Sequence, residues 1–195
     1  MFPVNLPNVL TVLRIMLVPV VVVALLGNTP RGDVLAAAVF ALASLTDFVD
    51  GYLARARDSE TAFGKLMDPL ADKLLIVASL IALVSLHRLE AWVAMVIIAR
   101  ELAVTMLRIG AGASGVVIGA SWLGKLKTAV QIVTVLAVIA VPGQPLWLSL
   151  LIYAMVAVTV ISGLDYFFGL RRHMQAARDA VEQKKAAPGA QPHAH

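Results

Sequence analysis

The sequence predicts an all-α integral membrane protein, with six transmembrane helices enclosing a polar cavity at the cytoplasmic side. Three observations predict it. First, 60% of the 195 residues are hydrophobic and only 14% are charged, with a mean hydropathy of +0.87. Soluble domains are about 45–50% apolar and about 25% charged. Second, the apolar residues fall into six runs, each close to the roughly 20 residues of helix that a hydrocarbon core of about 30 Å demands. Third, Lys and Arg are abundant in every second connection and sparse in the others. The composition excludes disorder for the bulk of the chain, since disorder needs low hydrophobicity and high charge. A soluble single-core domain would not cover this much apolar surface. A transmembrane barrel would alternate apolar and polar residues in segments of about ten, and these runs do not.

The six spans are expected near 6–27, 34–55, 66–86, 90–110, 124–142 and 146–169. Each break has a physical cause. Gly27-Asn28-Thr29-Pro30-Arg31-Gly32 reads as a tight turn, Arg57 to Thr61 as a polar loop, and His87-Arg88-Leu89-Glu90 as a second turn. Gly110 to Ser121 is rich in Gly, Ala and Ser, and Pro142-Gly143-Gln144-Pro145 is a strong breaker. The first run contains Arg14, lacks a basic leader and has no clean small-residue cleavage site after it, so it reads as a retained span.

Orientation follows from the cations. With the N-terminus inside, the inner connections and helix ends carry Arg55, Arg57, Lys65, Lys73, Arg108, Lys125 and Lys127, and the C-terminal segment adds Arg171, Arg172, Arg178, Lys184 and Lys185. The outer turns carry only Arg31 and Arg88. Both termini are therefore expected in the cytoplasm, with the protein integral to the inner membrane. The net charge of +4 is a topology signal and an attraction to lipid headgroups, not a nucleic-acid signature. Residues 1–170 are expected to form the six-helix domain. Residues 171–195 are expected to form a charged, partly disordered cytoplasmic tail that starts as a short interfacial helix.

The informative residues are ionisable groups in or beside apolar spans, where charge is expensive. Asp47 and Asp50 end span two and are three apart; Asp68 and Asp72 start span three and are four apart. Each pair shares a helix face, and the short connection brings both helix ends to the same level. Pro69 suits a first helical turn, which would put Asp68 there. Four carboxylates so arranged repel one another unless a cation neutralises them. Lys73 and Arg55 are too few and only monovalent. The chain has no cysteine, and its four histidines are scattered, so a metal held by this set must be a hard ion such as Mg²⁺ or Mn²⁺. Gly51, Ala54 and Gly64 serve close helix packing, and equally leave room for a flat ligand against the backbone.

Taken together, Asp47-x2-Asp50-Gly51-x2-Ala54-Arg55-x8-Gly64-x3-Asp68-x3-Asp72 resembles the signature of the CDP-alcohol phosphotransferases, with every fixed position present. The family also has six spans with the motif across spans two and three, so the resemblance covers most of the chain. It implies transfer of a phosphatidyl or similar group from a CDP-linked lipid such as CDP-diacylglycerol to an alcohol, with release of CMP. It implies two metal ions, Mg²⁺ or Mn²⁺, among Asp47, Asp50, Asp68 and Asp72, with Asp72 as general base. It further implies nucleotide contacts from Gly51, Ala54, Arg55, Thr61 and Gly64, and from Asn8 and Thr11 in the first span. Asn8 and Thr11 also read as ordinary helix-capping residues. A homodimer is implied as well.

Three segments are similar to the branch of the family that uses sn-glycerol 3-phosphate as acceptor. They are Asn5-Leu6-Pro7-Asn8-Val9-Leu10-Thr11-Val12-Leu13-Arg14, Ala99-Arg100-Glu101-Leu102 with Leu107-Arg108, and Ser121-Trp122-Leu123-Gly124-Lys125-Leu126-Lys127-Thr128. The resemblance assigns the acceptor's phosphate to Arg100, Arg108 and Lys125. Arg100 lies well inside an apolar span, so it must face a polar cavity or pair with a carboxylate such as Glu101. Lys127 reads as a side chain snorkelling to the interface. The competing readings are family members that act on phosphatidylglycerol or an inositol phosphate, a cation transporter, and a lipid-binding scaffold without chemistry. A transporter would spread acidic groups through the membrane depth, whereas these aspartates cluster at one leaflet.

Overall fold

Among the described residues there are six helices: α1 (Leu6–Leu26), α2 (Pro30–Arg57), α3 (Ala62–Ser85), α4 (Ala91–Ala113), α5 (Trp122–Ala140) and α6 (Leu146–Ala186). The structure, a computed structural model, describes residues 6–57, 62–113 and 122–186, with side chains described outside 6–11, 47–57, 62–72, 113, 173–174 and 176–186. Among the described residues there is no strand. The helices coincide with the expected apolar runs to within three residues, with three exceptions, of which the first is α2, which begins at Pro30 rather than near residue 34. The third helix begins at Ala62, so Asp68 and Pro69 stand in its second turn rather than its first. The sixth runs without a break from Leu146 to Ala186, so the span expected to end near residue 169 continues into the segment expected to start as a short interfacial helix. Its last turns, rich in Ala, Gln, Glu, Arg and Lys, are strong helix formers with no Gly or Pro to stop them. At 1.5 Å per residue, α6 is about 60 Å long, twice a hydrocarbon core.

The helix ends are built by turn chemistry. Asn28 adopts a left-handed φ of 47° after α1, and its N–H donates to the Leu25 carbonyl at 2.9 Å. Thr29 caps α2, its hydroxyl accepting from Gly32 N–H at 3.0 Å, with Pro30 at the first helical position, where its missing N–H costs nothing. A Cβ at Gly32 would lie 2.4 Å from the Ala24 carbonyl oxygen, so only glycine lets α2 leave so close to α1. After α3, His87 takes φ 55°. The Arg88 and His87 N–H groups return to the Leu83 and Val84 carbonyls at 2.9 and 3.0 Å, a Schellman closure with histidine in the place glycine usually holds. Gly143, at φ 82°, turns the chain between α5 and α6.

Three of these connections meet at one end of the bundle. Arg88 pairs with Asp33 at 2.9 Å and donates to Asn28 Oδ1 at 2.8 Å, while the Gln144 amide donates to the Arg88 carbonyl at 3.1 Å. The α1–α2, α3–α4 and α5–α6 connections are thus tied together. The last turns of α2 and α4 and the first turns of α3 and α5 lie at the opposite end, and the helices run alternately up and down. Helix α1 packs against α2 and α3, α5 against α2 and α6, and α4 against α6.

The main apolar core lies toward the Arg88 end. It is filled by Val21, Leu25, Phe40, Leu80, Leu83, Val93, Ile97, Val138, Ile139, Leu148 and Met155. A second, smaller cluster of Val104, Ala111, Tyr166 and Leu170 joins α4 and α6. Outside, large apolar side chains such as Val23, Val34, Leu42, Met95, Met106 and Trp122 are more than half exposed. Apolar surface on this scale marks contact with lipid or protein rather than water. Trp122–Ala140 and Leu146–Arg172 are each long and apolar enough to cross a membrane.

Candidate functional site

A layer of polar side chains separates the two apolar clusters. On α6 the buried stripe runs Leu148, Ile152, Met155, then Thr159 and Ser162, then Tyr166 and Leu170, a spacing of three and four that keeps one helix face inward. On α5, Val138 and Val135 give way to Gln131 and Lys127, all buried. On α4, Val93 and Ile97 give way to Arg100 and Glu101 before Val104. The three stripes change character at the same level because the helices are packed in register.

Within this layer Glu101 is the centre. Its Oε1 is in contact with Lys127 Nζ and lies 3.3 Å from Arg100 Nη1. The side chains of Lys127, Glu101 and Arg100 are only 7, 11 and 14% exposed. Arg100 Nη2 donates to Ser162 Oγ at 3.0 Å, and Ser162 in turn donates to the Thr159 carbonyl at 3.0 Å. The Glu101 backbone carbonyl accepts the Thr105 hydroxyl at 2.6 Å, whose oxygen accepts from Lys73 Nζ. One residue of α4 is therefore connected to α3, α5 and α6. Arg100 lies over the backbone of α6, its Cγ 3.2 Å and Nε 3.7 Å from where a Cβ on Gly163 would be. Three buried polar atoms here, Arg100 Nε, Gln131 Nε2 and Thr159 Oγ1, have no hydrogen-bond partner.

Of the three residues expected to hold an acceptor phosphate, Arg100 sits in this layer. It takes the second of its two alternatives, a carboxylate partner. Arg108 lies two turns further along α4, exposed, its guanidinium carbon 5.8 Å from the ring centroid of Tyr166. Lys125 is exposed in the first turn of α5. Lys127, expected to snorkel, is instead buried and paired with Glu101: it faces α4, and a lysine pointing into a bundle at this depth needs an anion. Sequence reasoning also passed over Gln131, Thr159 and Ser162. The signal available was the polar series Lys127, Gln131, Thr134 at helical spacing within an otherwise apolar run. Arg14, on α1, is buried as well.

The aspartate motif lies at the same end of the chain's alternating path. Asp47, Asp50, Gly51, Ala54 and Arg55 are on the last turns of α2, and Gly64, Asp68 and Asp72 on the first turns of α3. Asn8 and Thr11 are on the first turns of α1, the helix that packs against both. The side chains of all of these lie outside the described residues, as does Thr61 altogether. Asp72 directly precedes Lys73, so the motif ends at the level of the polar layer. As donors, the four positions supply carboxylate oxygen only, from two helices with four residues between their ends. That donor set fits a hard divalent ion and no softer one.

Residues 4–162 match the family described as CDP-alcohol phosphatidyltransferase, and the chain belongs to that family. Its relatives narrow the likeness further. The chain is 41% identical over 180 residues, covering 84% of this chain and 93% of the relative, to a CDP-diacylglycerol--glycerol-3-phosphate 3-phosphatidyltransferase of Bacillus subtilis. It is 46% identical over 167 residues, 83% of this chain and 79% of the relative, to a probable phosphatidylglycerophosphate synthase of Mycobacterium tuberculosis. It is 32% identical over 188 residues, 92% of this chain and 98% of the relative, to a Salmonella choleraesuis protein with the same name as the Bacillus one.

Proposed function

We propose that this chain transfers the phosphatidyl group of CDP-diacylglycerol to sn-glycerol 3-phosphate, releasing CMP and forming phosphatidylglycerophosphate. The observation that carries this reading is that the complete eight-position signature falls on the adjoining ends of α2 and α3, at the end of the bundle opposite the Arg88 tie and level with the buried Arg100–Glu101–Lys127 layer. Relatives named for this activity match along more than four-fifths of the chain.

In this reading the acceptor hydroxyl oxygen forms a bond to the phosphatidyl phosphorus as the bond from that phosphorus to the CMP oxygen breaks. Asp72 takes the hydroxyl proton on a carboxylate oxygen. Asp47, Asp50, Asp68 and Asp72 would hold two Mg²⁺ or Mn²⁺ ions. When bound, these screen the anionic diphosphate and stabilise the leaving oxygen. Arg55 forks onto a phosphate, Gly51, Ala54 and Gly64 leave room for the nucleotide, and Asn8, Thr11 and Thr61 contact it. Arg100, Arg108 and Lys125 supply positive charge for the acceptor's own phosphate. The remaining barrier is lowered by position, because phosphoryl transfer depends mainly on alignment and charge stabilisation.

The alternation of helix directions, the apolar exterior and the cation bias support six membrane crossings. They equally support a polar cavity, both termini and the active site on the cytoplasmic side of the inner membrane, and continuation of α6 beyond the bilayer as the start of the tail. A homodimer completes the reading. The test is CMP release by purified protein with CDP-diacylglycerol and Mg²⁺, with glycerol 3-phosphate, phosphatidylglycerol or an inositol phosphate added separately. Release with glycerol 3-phosphate alone is expected; release only with another acceptor overturns the assignment.

A further inference from the structure

Arg108 is held differently from the other cations around α4. Arg88, Arg100 and Lys127 each meet a carboxylate. Among the described residues Arg108 makes no ion pair, and its guanidinium carbon lies 5.8 Å from the centroid of the Tyr166 ring. Asp165, beside Tyr166 on α6, is exposed and not paired with it. The ring is fixed in place, because Tyr166 is only 6% exposed and packs with Val104, Ala111 and Leu170 between α4 and α6. Arg108 itself is exposed. A cation over an aromatic face is drawn by the ring's quadrupole and needs no hydrogen-bond acceptor. The five N–H donors of the guanidinium are therefore left for an oxyanion, while its position is restrained. The helix face indicates where that oxyanion lies. Glu101, Thr105 and Arg108 are four and three residues apart and share one face of α4. The Thr105 hydroxyl accepts from Lys73 Nζ, and Lys73 directly follows Asp72. Arg108 is one turn beyond Thr105, at the end of the bundle that carries the aspartate motif.

We propose that Tyr166 is a positioning residue for the acceptor's phosphate, its ring holding the guanidinium of Arg108 ready to bind that group, a role that rests on the phosphatidyl-transfer reading above. An exposed arginine without the ring would sweep through many rotamers, and the acceptor would bear the entropy of ordering it on binding. The buried ring meets that cost during folding. A carboxylate in its place would restrain Arg108 as well, but would occupy the donors that the phosphate needs. The hydroxyl of Tyr166 has no part in this. Its oxygen is buried without a hydrogen-bond partner, so replacing it with hydrogen removes no bond and leaves the ring face in place.

The experiment uses the purified full chain with Mg²⁺ and reads CMP release. Tyr166→Leu is expected to raise the KM for glycerol 3-phosphate about fivefold, within the range for immobilising one flexible side chain. The change should fall on that KM far more than on kcat or on the KM for CDP-diacylglycerol. Tyr166→Phe, which keeps the ring, should rescue most of the loss. Tyr166→Phe prepared with one, two or three fluorines on the ring keeps the shape but drains the quadrupole, so the KM should climb with each fluorine. This series decides the matter if the Leu variant does not fold. In an Arg108→Met background, Tyr166→Leu should add little further change, since the ring acts through Arg108. A KM for glycerol 3-phosphate that stays flat along the fluorine series, or a full effect of Tyr166→Leu without Arg108, overturns the proposal. So does a rise confined to the KM for CDP-diacylglycerol, which would give Arg108 to the donor. An effect seen only as altered activation by phosphatidylglycerol in mixed micelles would give Arg108 to a lipid headgroup, and overturns it equally. Failure of the wild-type protein to release CMP with glycerol 3-phosphate overturns the activity reading instead. The rise in unfolding midpoint caused by inorganic phosphate, which should shrink along the same fluorine series, then judges Tyr166.

Discussion

Arg100 lies across Gly163, its Cγ only 3.2 Å from the position a Cβ there would take. The absence of a side chain on α6 is what seats the guanidinium between Ser162 and Glu101. A methyl group at this point would force the arginine to shift by a few tenths of an ångström. On an exposed helix, Gly→Ala is worth about 1 kcal/mol of stability, which offsets the crowding. Gly163→Ala is therefore expected to leave the unfolding midpoint within a degree or two while raising the KM for the phosphorylated acceptor severalfold. The larger Gly163→Val should cost about 1–3 kcal/mol through overpacking as well. Steady-state kinetics beside thermal unfolding check both. An unchanged acceptor KM in both variants would remove Arg100 from the acceptor's site.

The pair of Lys127 and Glu101 is buried, and burial sets the direction of its energetics. Removing one member of a buried ion pair costs about 3–5 kcal/mol, because a desolvated charge is left behind. Lys127→Met leaves Glu101 with Arg100, so the loss is expected near the low end, about 3 kcal/mol. Lys125→Met, two residues away but exposed, should cost less than about 0.5 kcal/mol. Comparing the two midpoints in one detergent tests whether Lys127 faces inward; equal midpoints would return it to the interface.

Arg88 ties three connections at the far end of the bundle, but it does so in a partly exposed position, with side-chain exposures of 24% for Arg88 and 21% for Asp33. Partly screened pairs of this kind contribute roughly 1 kcal/mol or less. Arg88→Ala should lower the unfolding midpoint slightly and leave CMP release unchanged, because the motif lies at the opposite end. A loss of activity without loss of stability would mean that this end takes part in function.

The sequence made most of the helices legible because each break is a local event: Pro30 after a capping Thr29, Gly143 between two prolines, His87 with Arg88. It misplaced the start of α3 because nothing local in Ala62 to Leu66 distinguishes a helix from a loop, and Pro69 was a plausible first-turn residue. The aspartate motif was legible as a spacing. The polar layer was not. Glu101 and Lys127 are 26 residues apart, and Arg100 and Ser162 are 62 apart. Whether they meet depends on how α4, α5 and α6 are rotated about their axes, which hydrophobicity does not specify when both lipid and core are apolar. Lys127 looked like a snorkelling cation for that reason. Ser162 and Thr159 looked like ordinary membrane-helix residues, although their hydroxyls lie buried in the layer.

Asp72 and Asp47 offer the sharpest separation of roles in the motif. Both are proposed to bind metal, and Asp72 alone is proposed to take the proton. Replacing either with Asn keeps the shape and removes the charge. Asp47→Asn weakens the hold on a divalent ion, so its activity should fall at low Mg²⁺ and recover in large part as Mg²⁺ is raised, by mass action. Asp72→Asn loses the proton acceptor too, a contribution of about 10²–10⁴-fold for a positioned base. No Mg²⁺ concentration should restore it. Chelation with EDTA should abolish CMP release by the wild-type protein, and added Mg²⁺ or Mn²⁺ should return it. The measurement is CMP release against Mg²⁺ concentration for the three proteins. Recovery of Asp72→Asn at high Mg²⁺ would leave it a ligand only and move the base elsewhere, while wild-type activity that survives EDTA would remove the metals from the reaction.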